Sequence, residues 1–195
     1  MNNPQEIRQK LIDAGFELFT GTGYAETTIR MITERSGIEN RSFYYLFESK
    51  EDLLRTIVED LADSEIELLD KISQQPAGPL EKLSEMISSV ISSQRGRELM
   101  LGLVKKRSIY VNNIYKEQIM EKANGIIQGV IDEGIAKGVM HAPEQISKFI
   151  LIGVIFLFLN TVSVEEDERD KMLRAYLHMA EASLGLQKGS IRAAF

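Results

Sequence analysis

The chain has 195 residues, 44% hydrophobic and 27% charged, with a formal charge of -6. That composition supports a buried core and excludes disorder as the main state. Cysteine is absent, which removes disulfides, thiolate metal sites and cysteine nucleophiles and leaves His141 and His178 as the only imidazoles. Residues 1–50 carry six basic and seven acidic side chains and the remainder 17 and 22, so no region could hold nucleic acid by bulk charge.

Prolines occur only at 4, 76, 79 and 143, and between them apolar residues recur at helical spacing without persistent alternation, so the chain reads as all-α. Asn3, Pro4 and Glu6 supply an N-cap, a first-turn proline and an N3 acid. Ile7, Leu11, Ala14, Leu18 and Phe19 continue as one apolar stripe, which Gly21 and Gly23 stop. Thr27 caps a short helix through Arg35, Ser36-Gly37 breaks it, and a second short helix runs from about Asn40 to Leu46. Ser49-Lys50-Glu51-Asp52 opens a long helix with a capping-box pattern, carried by Leu53, Leu54, Ile57, Val58, Leu61 and Leu68. The stretch from Ser73 to Pro79, with two prolines and a glycine, is read as the linker between domains. Beyond it, periodic segments lie at about 80–94, 97–110, 112–138, 143–161 and 166–185, with Gly138 as a C-cap, Pro143 in a first helical turn and a weak tail at the end. Met1 to Lys10 hold no apolar signal core, and the run Phe149 to Leu159 is shorter than the ~18 residues of a spanning helix, so a cytoplasmic protein is expected.

Two short helices joined by a glycine turn, after one long helix and before another, are the arrangement of a helix-turn-helix DNA reader. Thr33, four residues before Gly37, is small where the helices must approach, and Ile32, Ile38, Phe43 and Leu46 can pack inward. Glu39, Asn40, Arg41, Ser42, Tyr44 and Tyr45 are then left facing outward, able to accept, donate or stack at base edges. Asn40 and Arg41 are read as base contacts, Tyr44 and Lys50 as phosphate contacts, and Tyr45 as either. Thr27 and Thr28 either cap alone or also touch a phosphate; Phe43 and Phe47 belong to the core.

At these residues the chain resembles a known family. Arg8, Leu11 to Phe19, Gly23-Tyr24, Thr27-Thr28, Ile32, Gly37-Ile38, Ser42-Phe43-Tyr44 and Phe47-x-Ser49-Lys50-x-x-Leu53 look like the N-terminal domain of TetR-family transcriptional regulators, over roughly residues 4–64. The resemblance implies a dimer whose paired recognition helices read a two-fold symmetric operator. It also implies a helical C-terminal domain, residues 80–185, that binds a small effector and releases the DNA. Glu39 stands where the family usually has a small N-cap and Arg41 where glycine is common, so the operator sequence does not carry over. An acid at position 39 suits the positive end of the helix and could accept from a cytosine amino group, and Arg41 could read guanine.

The run Phe149 to Leu159 is apolar all round, so a helix made from it needs cover on every side. In the resembling family the last two helices form a four-helix interface with the partner chain. That implies dimer contacts at Phe149, Leu157, Met172, Leu173, Tyr176, Leu177, Ala180 and Leu184. By the same resemblance the effector pocket lies among the middle helices. Met86, Val90, Met100, Leu103, Tyr110, Tyr115, Met120, Ile127 and Phe156 are its candidates, since methionine and tyrosine adapt to bulky apolar compounds. Gly125, Gly129, Gly134 and Gly138 loosen the long segment or permit close helix approach, and Lys105-Lys106-Arg107 forms a solvated face or touches DNA or the reading domain. The acidic turn Glu165 to Glu168 lacks histidine and reads as a solvated loop rather than a metal site.

No glycine-rich phosphate loop, paired-histidine metal motif or nucleophile constellation is present, so no cofactor and no enzyme activity are expected. The sequence predicts a sequence-specific DNA-binding regulator, a repressor released from its operator by a small hydrophobic effector. The alternative is a TetR-like DNA-binding protein or coactivator controlled by a protein partner.

Overall fold

The computed structural model describes residues 3–104, 109–161 and 164–193. Its described elements are helical: α1 (Pro4–Leu18), a π-helical turn (Phe19–Gly23), α2 (Ile29–Ser36), α3 (Asn40–Leu46), α4 (Lys50–Ser73), α5 (Pro79–Ile91), α6 (Gln94–Val104), α7 (Ile109–Ala136), α8 (Ile146–Thr161) and α9 (Glu166–Ser183). Among the described residues no helix is long and apolar enough to cross a membrane.

The chain divides into two compact units, Met1–Leu61 with Arg95–Tyr115, and Ala62–Gln94 with Lys116–Phe195. The division falls inside α4 and not in the proline-containing stretch 73–79. That stretch is tied back within the second unit: Gln75 Nε2 donates to Glu85 at 3.1 Å and Gln74 N–H to the Asp70 carbonyl at 3.2 Å. Residues 95–115, expected in the C-terminal domain, cluster with the N-terminal unit.

In the first unit, α1 packs on α2 and α3, and α2 on α3. Asn3 Oδ1 accepts from Gln5 N–H at the start of α1, with Pro4 in the first turn. Leu11, Ile32, Phe43, Phe47, Leu53, Leu54, Ile57 and Val58 are buried and form the core. Gly15 lets α1 approach α4 closely, since a Cβ there would lie 2.8 Å from Leu53 Cδ2. Thr28, and not Thr27, caps α2: its hydroxyl accepts from Met31 N–H at 3.2 Å. Ser49 Oγ accepts from Asp52 N–H at 3.1 Å and caps α4, while the Asp52 carboxylate reaches one residue further back and accepts from Glu48 N–H at 3.0 Å, in place of the return bond to Ser49 of a capping box. On α6, Gly102 meets the π-helical turn backbone to backbone; a Cβ at that position would fall 2.0 Å from the Phe19 carbonyl oxygen.

In the second unit, α8 packs against α5 and α9. Lys82 is buried and its ammonium pairs with Glu133 at 2.9 Å, tying α5 to α7; Lys137 shares the same carboxylate. These two lysines hold the Glu133 carboxyl below the usual range. Tyr176 OH donates to the Ile150 carbonyl at 2.8 Å, and its ring lies where a Cβ on Gly153 would clash, so α8 and α9 cross at a glycine–tyrosine contact. Gly134 accommodates Met140 in the same way, whereas Gly125 and Gly129 have no such neighbour. Gly138 turns the chain after α7 at φ 70°, but α8 begins only at Ile146, so Pro143 precedes it. The segment after α9 is anchored: the buried Glu181 carboxylate accepts from the N–H groups of Gly189 (2.8 Å) and Ile191 (3.0 Å), and Ile191 is buried.

Candidate nucleic-acid interface

The turn between α2 and α3 is built around Gly37. Its φ of 69° is the left-handed conformation that glycine adopts without a Cβ penalty, and its N–H donates to the Thr33 carbonyl, as does that of Ile38 at 3.1 Å. Phe43 is fully buried, 5.7 Å from the Phe47 ring and edge-on to Tyr44 at 5.5 Å. Pinning α3 by Phe43 sends its neighbours outward. Glu39, Asn40, Arg41, Tyr44 and Tyr45 are exposed, Tyr45 to 85%, while Ser42 is half-buried. Tyr44 and Tyr45 therefore stand side by side on the outer side of α3, where their rings and hydroxyls are open to contact.

Nearby cations are mostly engaged. Arg30 pairs with Glu34 at 2.7 Å, Arg35 with Glu17 at 2.6 Å, and Arg55 with Asp52. The hydrogen bond from Glu48 N–H, then Arg55, holds the Asp52 carboxyl below the ordinary range against the opposing effect of burial. Arg41 is exposed and makes no ion pair among the described residues.

Lys50, read as a phosphate contact, and Thr27, read as a cap with or without a phosphate contact, both face inward. Thr27 is 1% exposed and its hydroxyl donates to the Gly23 carbonyl at 2.8 Å, which removes it from any ligand. Lys50 is half-buried; its ammonium donates to the carbonyls of Tyr24 (2.7 Å) and Thr27 (2.6 Å) and sits 4.3 Å from the Tyr24 ring centroid. Those carbonyls end the loop before α2 with no helical partner of their own, so a cation satisfies them. Thr28 is exposed but spends one lone pair on its cap. Asn40 is exposed at the first position of α3, with Oδ1 2.9 Å from the Thr33 hydroxyl.

The second-unit candidates divide. Met86, Val90 and Ile127 are buried and Met120 is half-buried. Phe156 is 61% exposed on the outer side of α8, so it does not line an interior pocket. The side chains of Met100, Leu103, Tyr110 and Tyr115, and the run 105–107, lie outside the described residues. Among the supposed dimer contacts, Phe149 is exposed and Met172 and Tyr176 are half-buried. Leu157, Leu173, Leu177, Ala180 and Leu184 are instead buried in the chain's own core, because the inner stripe of α9 packs on α8. Phe149, Ile152 and Phe156 are exposed on α8, and Met179 is exposed on α9.

Three features escaped the sequence reading. Glu65 on α4 is half-buried and accepts from Ser93 Oγ, and burial pushes its carboxyl up. The buried Ser147 hydroxyl lies 2.6 Å from Gln128 Oε1 and 3.0 Å from Asn124 Oδ1. A cleft of about 710 Å³ lies beside the start of α5, bordered by Pro79, Leu80, Val139 and Arg192. Only Glu65 announced itself, by falling on the apolar stripe Val58, Ala62, Leu69 and Ile72 of α4.

A glycine turn closed on Thr33, with a short helix pinned by Phe43 and bearing exposed Arg41, Tyr44 and Tyr45, defines a helix-turn-helix protein. Residues 11–57 match the family model described as bacterial regulatory proteins, tetR family. The chain is 27% identical over 133 residues to the fatty acid metabolism regulator protein of Bacillus subtilis, covering 66% of this chain and 68% of that one. A TetR transcription regulator from Haloarcula marismortui shares the fold with a TM-score of 0.76 at 18% identity, over 92% of this chain and 99% of that one. FadR of Bacillus subtilis in complex with stearoyl-CoA does so at 0.67 and 21%, over 90% and 97%. Residues 11–57 thus carry the tetR-family regulatory domain, and the curated proteins that the chain is similar to are transcriptional regulators.

Proposed function

We infer that the protein acts in the cytoplasm as a homodimeric repressor, binding a two-fold symmetric operator through α3 of each copy and leaving it when a small hydrophobic effector binds. The observation that carries this reading is the outward array of Arg41, Tyr44 and Tyr45 on a helix whose inner side is locked by Phe43. Arg41 is suited to a guanine edge, Tyr44 and Tyr45 to backbone or base contacts, and Thr28 to a phosphate from its exposed side. Glu39 would repel phosphate, so it favours a pose with a base amino group beneath it.

The effector reading rests on the interior of the second unit, where Met86, Val90 and Ile127 are buried and Met120 is half-buried, since methionine side chains adapt to bulky apolar compounds. A dimer engages two half-sites at once, so their affinities combine, and a ligand that prefers a state with altered half-site spacing lowers operator occupancy. The likeness to a fatty acid metabolism regulator, and in fold to a regulator in complex with stearoyl-CoA, favours a long acyl compound as the first effector to try.

The test is a gel shift on the intergenic DNA upstream of the gene, against nonspecific competitor and at several salt concentrations. Specific retention that Arg41→Ala weakens at one base pair by roughly 1–3 kcal/mol supports the reading. Equal affinity for competitor DNA overturns it. Stearoyl-CoA added to the preformed complex should then release the DNA; failure with a broad panel of apolar ligands would shift control to a protein partner.

A further inference from the structure

The segment after α9 forms part of the wall of the cleft beside the start of α5, and bonds from the rest of the second unit hold it there. Glu181 Oε1 accepts from the N–H groups of Gly189 (2.8 Å) and Ile191 (3.0 Å). Arg192 N–H donates to the buried Ser84 Oγ at 3.0 Å, and that hydroxyl donates to the Leu80 carbonyl at 2.7 Å. Ile191 is buried, which leaves its neighbours Ser190 and Arg192 on the cleft wall. The first two turns of α5 bring Glu81 and Glu85 to the same cleft, and Pro79, Leu80 and Val139 give it apolar surface. Its volume of about 710 Å³ is that of a small-molecule site, and none of the residues read as effector contacts borders it.

The charges around this cleft are of both signs and are not joined to one another. Arg192, Glu81 and Glu85 make no ion pair among the described residues. Glu81 accepts from Gly78 N–H at 3.1 Å in the first turn of α5, where the helix end offsets its charge. Glu85 accepts from the Gln75 amide at 3.1 Å, a neutral donor that leaves its charge uncompensated. A guanidinium and a carboxylate that border one cleft without meeting suit a ligand that carries both signs, and the apolar surface asks that its body be apolar.

We propose that the cleft binds short apolar peptides by both ends: Arg192 and Ser190 take the terminal carboxylate, Glu85 takes the terminal ammonium, and Pro79, Leu80 and Val139 cover the side chains. The guanidinium fork matches a carboxylate, and the Ser190 hydroxyl has no partner among the described residues. The volume is larger than a free amino acid fills, whereas a dipeptide sets its two charges about 3.5 Å further apart and brings two side chains. The wall is fixed before the ligand arrives, which lowers the cost of ordering it. This site is independent of the operator-binding reading, and its test needs no DNA.

The experiment is a chemical-shift titration of the full-length protein with leucyl-leucine, N-acetyl-leucyl-leucine, leucyl-leucinamide and glycyl-glycine. Leucyl-leucine should bind with a Kd of about 1 mM or below and move the amide signals of residues 78–85 and 189–192. Loss of the ammonium, of the carboxylate or of both side chains should each weaken binding about tenfold. Arg192→Ala should weaken leucyl-leucine about tenfold yet leave leucyl-leucinamide unchanged, and Glu85→Gln should do the same while leaving N-acetyl-leucyl-leucine unchanged. Both side chains are exposed, and the bond to Ser84 comes from the backbone of residue 192, so each variant keeps the wall in place and should melt with wild type. Three outcomes would overturn the proposal. These are no saturable shift with leucyl-leucine, equal affinity for all four ligands, and an Arg192→Ala protein that binds leucyl-leucine as wild type does.

Discussion

The Lys50 ammonium donates to the backbone carbonyl of Thr27 at 2.6 Å, and to that of Tyr24 at 2.7 Å, across more than twenty residues of chain. One side chain at the start of α4 thereby fastens the loop that leads into α2, while the Tyr24 ring covers the charge. In a family resemblance Lys50 is a phosphate contact; in this structure its donors are directed at the protein.

Lys50→Met should therefore act on stability. It leaves two carbonyls without their donor in a half-buried place, a loss of about 1–3 kcal/mol, visible as a lower thermal midpoint of the DNA-free protein. DNA affinity would fall with it. An unchanged midpoint accompanied by a flatter dependence of DNA binding on salt would instead return Lys50 to the phosphates.

Gly102 makes a sharper demand. Its backbone lies so close to Phe19 that a Cβ would come within 2.0 Å of the Phe19 carbonyl oxygen and 3.1 Å of Thr20 Cα, and neither is the end of a flexible side chain that could move aside. Gly102→Ala should force α6 away from the π-helical turn at a cost of about 1–3 kcal/mol. Faster hydrogen exchange at Phe19 to Tyr24 would report it, since Tyr24 N–H faces the Gly102 carbonyl. Gly129→Ala, which meets nothing, is the matched control and should leave exchange there unchanged.

Much of the reading head was legible because its signals are local. Asn3-Pro4, Gly37 and the Ser49–Asp52 cap act through bonds of two to four residues, and the short helix Asn40–Leu46 follows from them. Thr27 and Thr28 show where locality ends. Either hydroxyl could cap α2, and the choice is made by the Gly23 carbonyl, which takes Thr27 and leaves Thr28 to the helix. The second unit was harder to read for a different reason. A helix as uniformly apolar as α8 has no phase, so nothing in its sequence could say that Phe156 faces outward while Leu157 and Phe158 face in. The stripe Leu173, Leu177, Ala180 and Leu184 has a clear phase but not a stated partner, and the chain's own α8 supplies it. The division within α4 left no mark in composition, because an unbroken helix passes through it.

Glu65 gives a pH dependence of defined sign. Burial raises its folded-state pKa above the ordinary carboxylate value, and the Ser93 hydroxyl only partly offsets this. Its contribution to stability is thus fully present below the unfolded pKa, where the group is neutral in both states. That contribution is lost as pH rises through the folded pKa, where a half-buried charge must be carried. Glu65→Gln keeps an acceptor for Ser93 and removes the charge, so at pH 7 its thermal midpoint should exceed that of wild type, with the difference shrinking toward pH 4. A variant less stable than wild type at pH 7 would mean that a cation neutralises Glu65 in the native state.

The exposed face of α8 leads to the last prediction. Phe149, Ile152 and Phe156 recur at three- and four-residue spacing, so they share one side of the helix. Large apolar side chains gathered in this way mark an association surface, and a two-fold dimer would use each of them twice. Phe156→Asp should then remove about 1.5–3 kcal/mol of burial per copy and put a charge from each copy into the shared apolar face. Sedimentation velocity should show wild type as a dimer and this variant as a monomer at the same concentration, with its helical circular dichroism retained. Leu177→Ala is the contrasting variant. Because Leu177 is buried within its own chain, it should lower the thermal midpoint by an amount corresponding to about 2–5 kcal/mol, and any loss of dimer should follow that loss of stability. A Phe156→Asp protein that remains dimeric would move the interface off this face of α8, and with it the account of how two reading helices reach one operator.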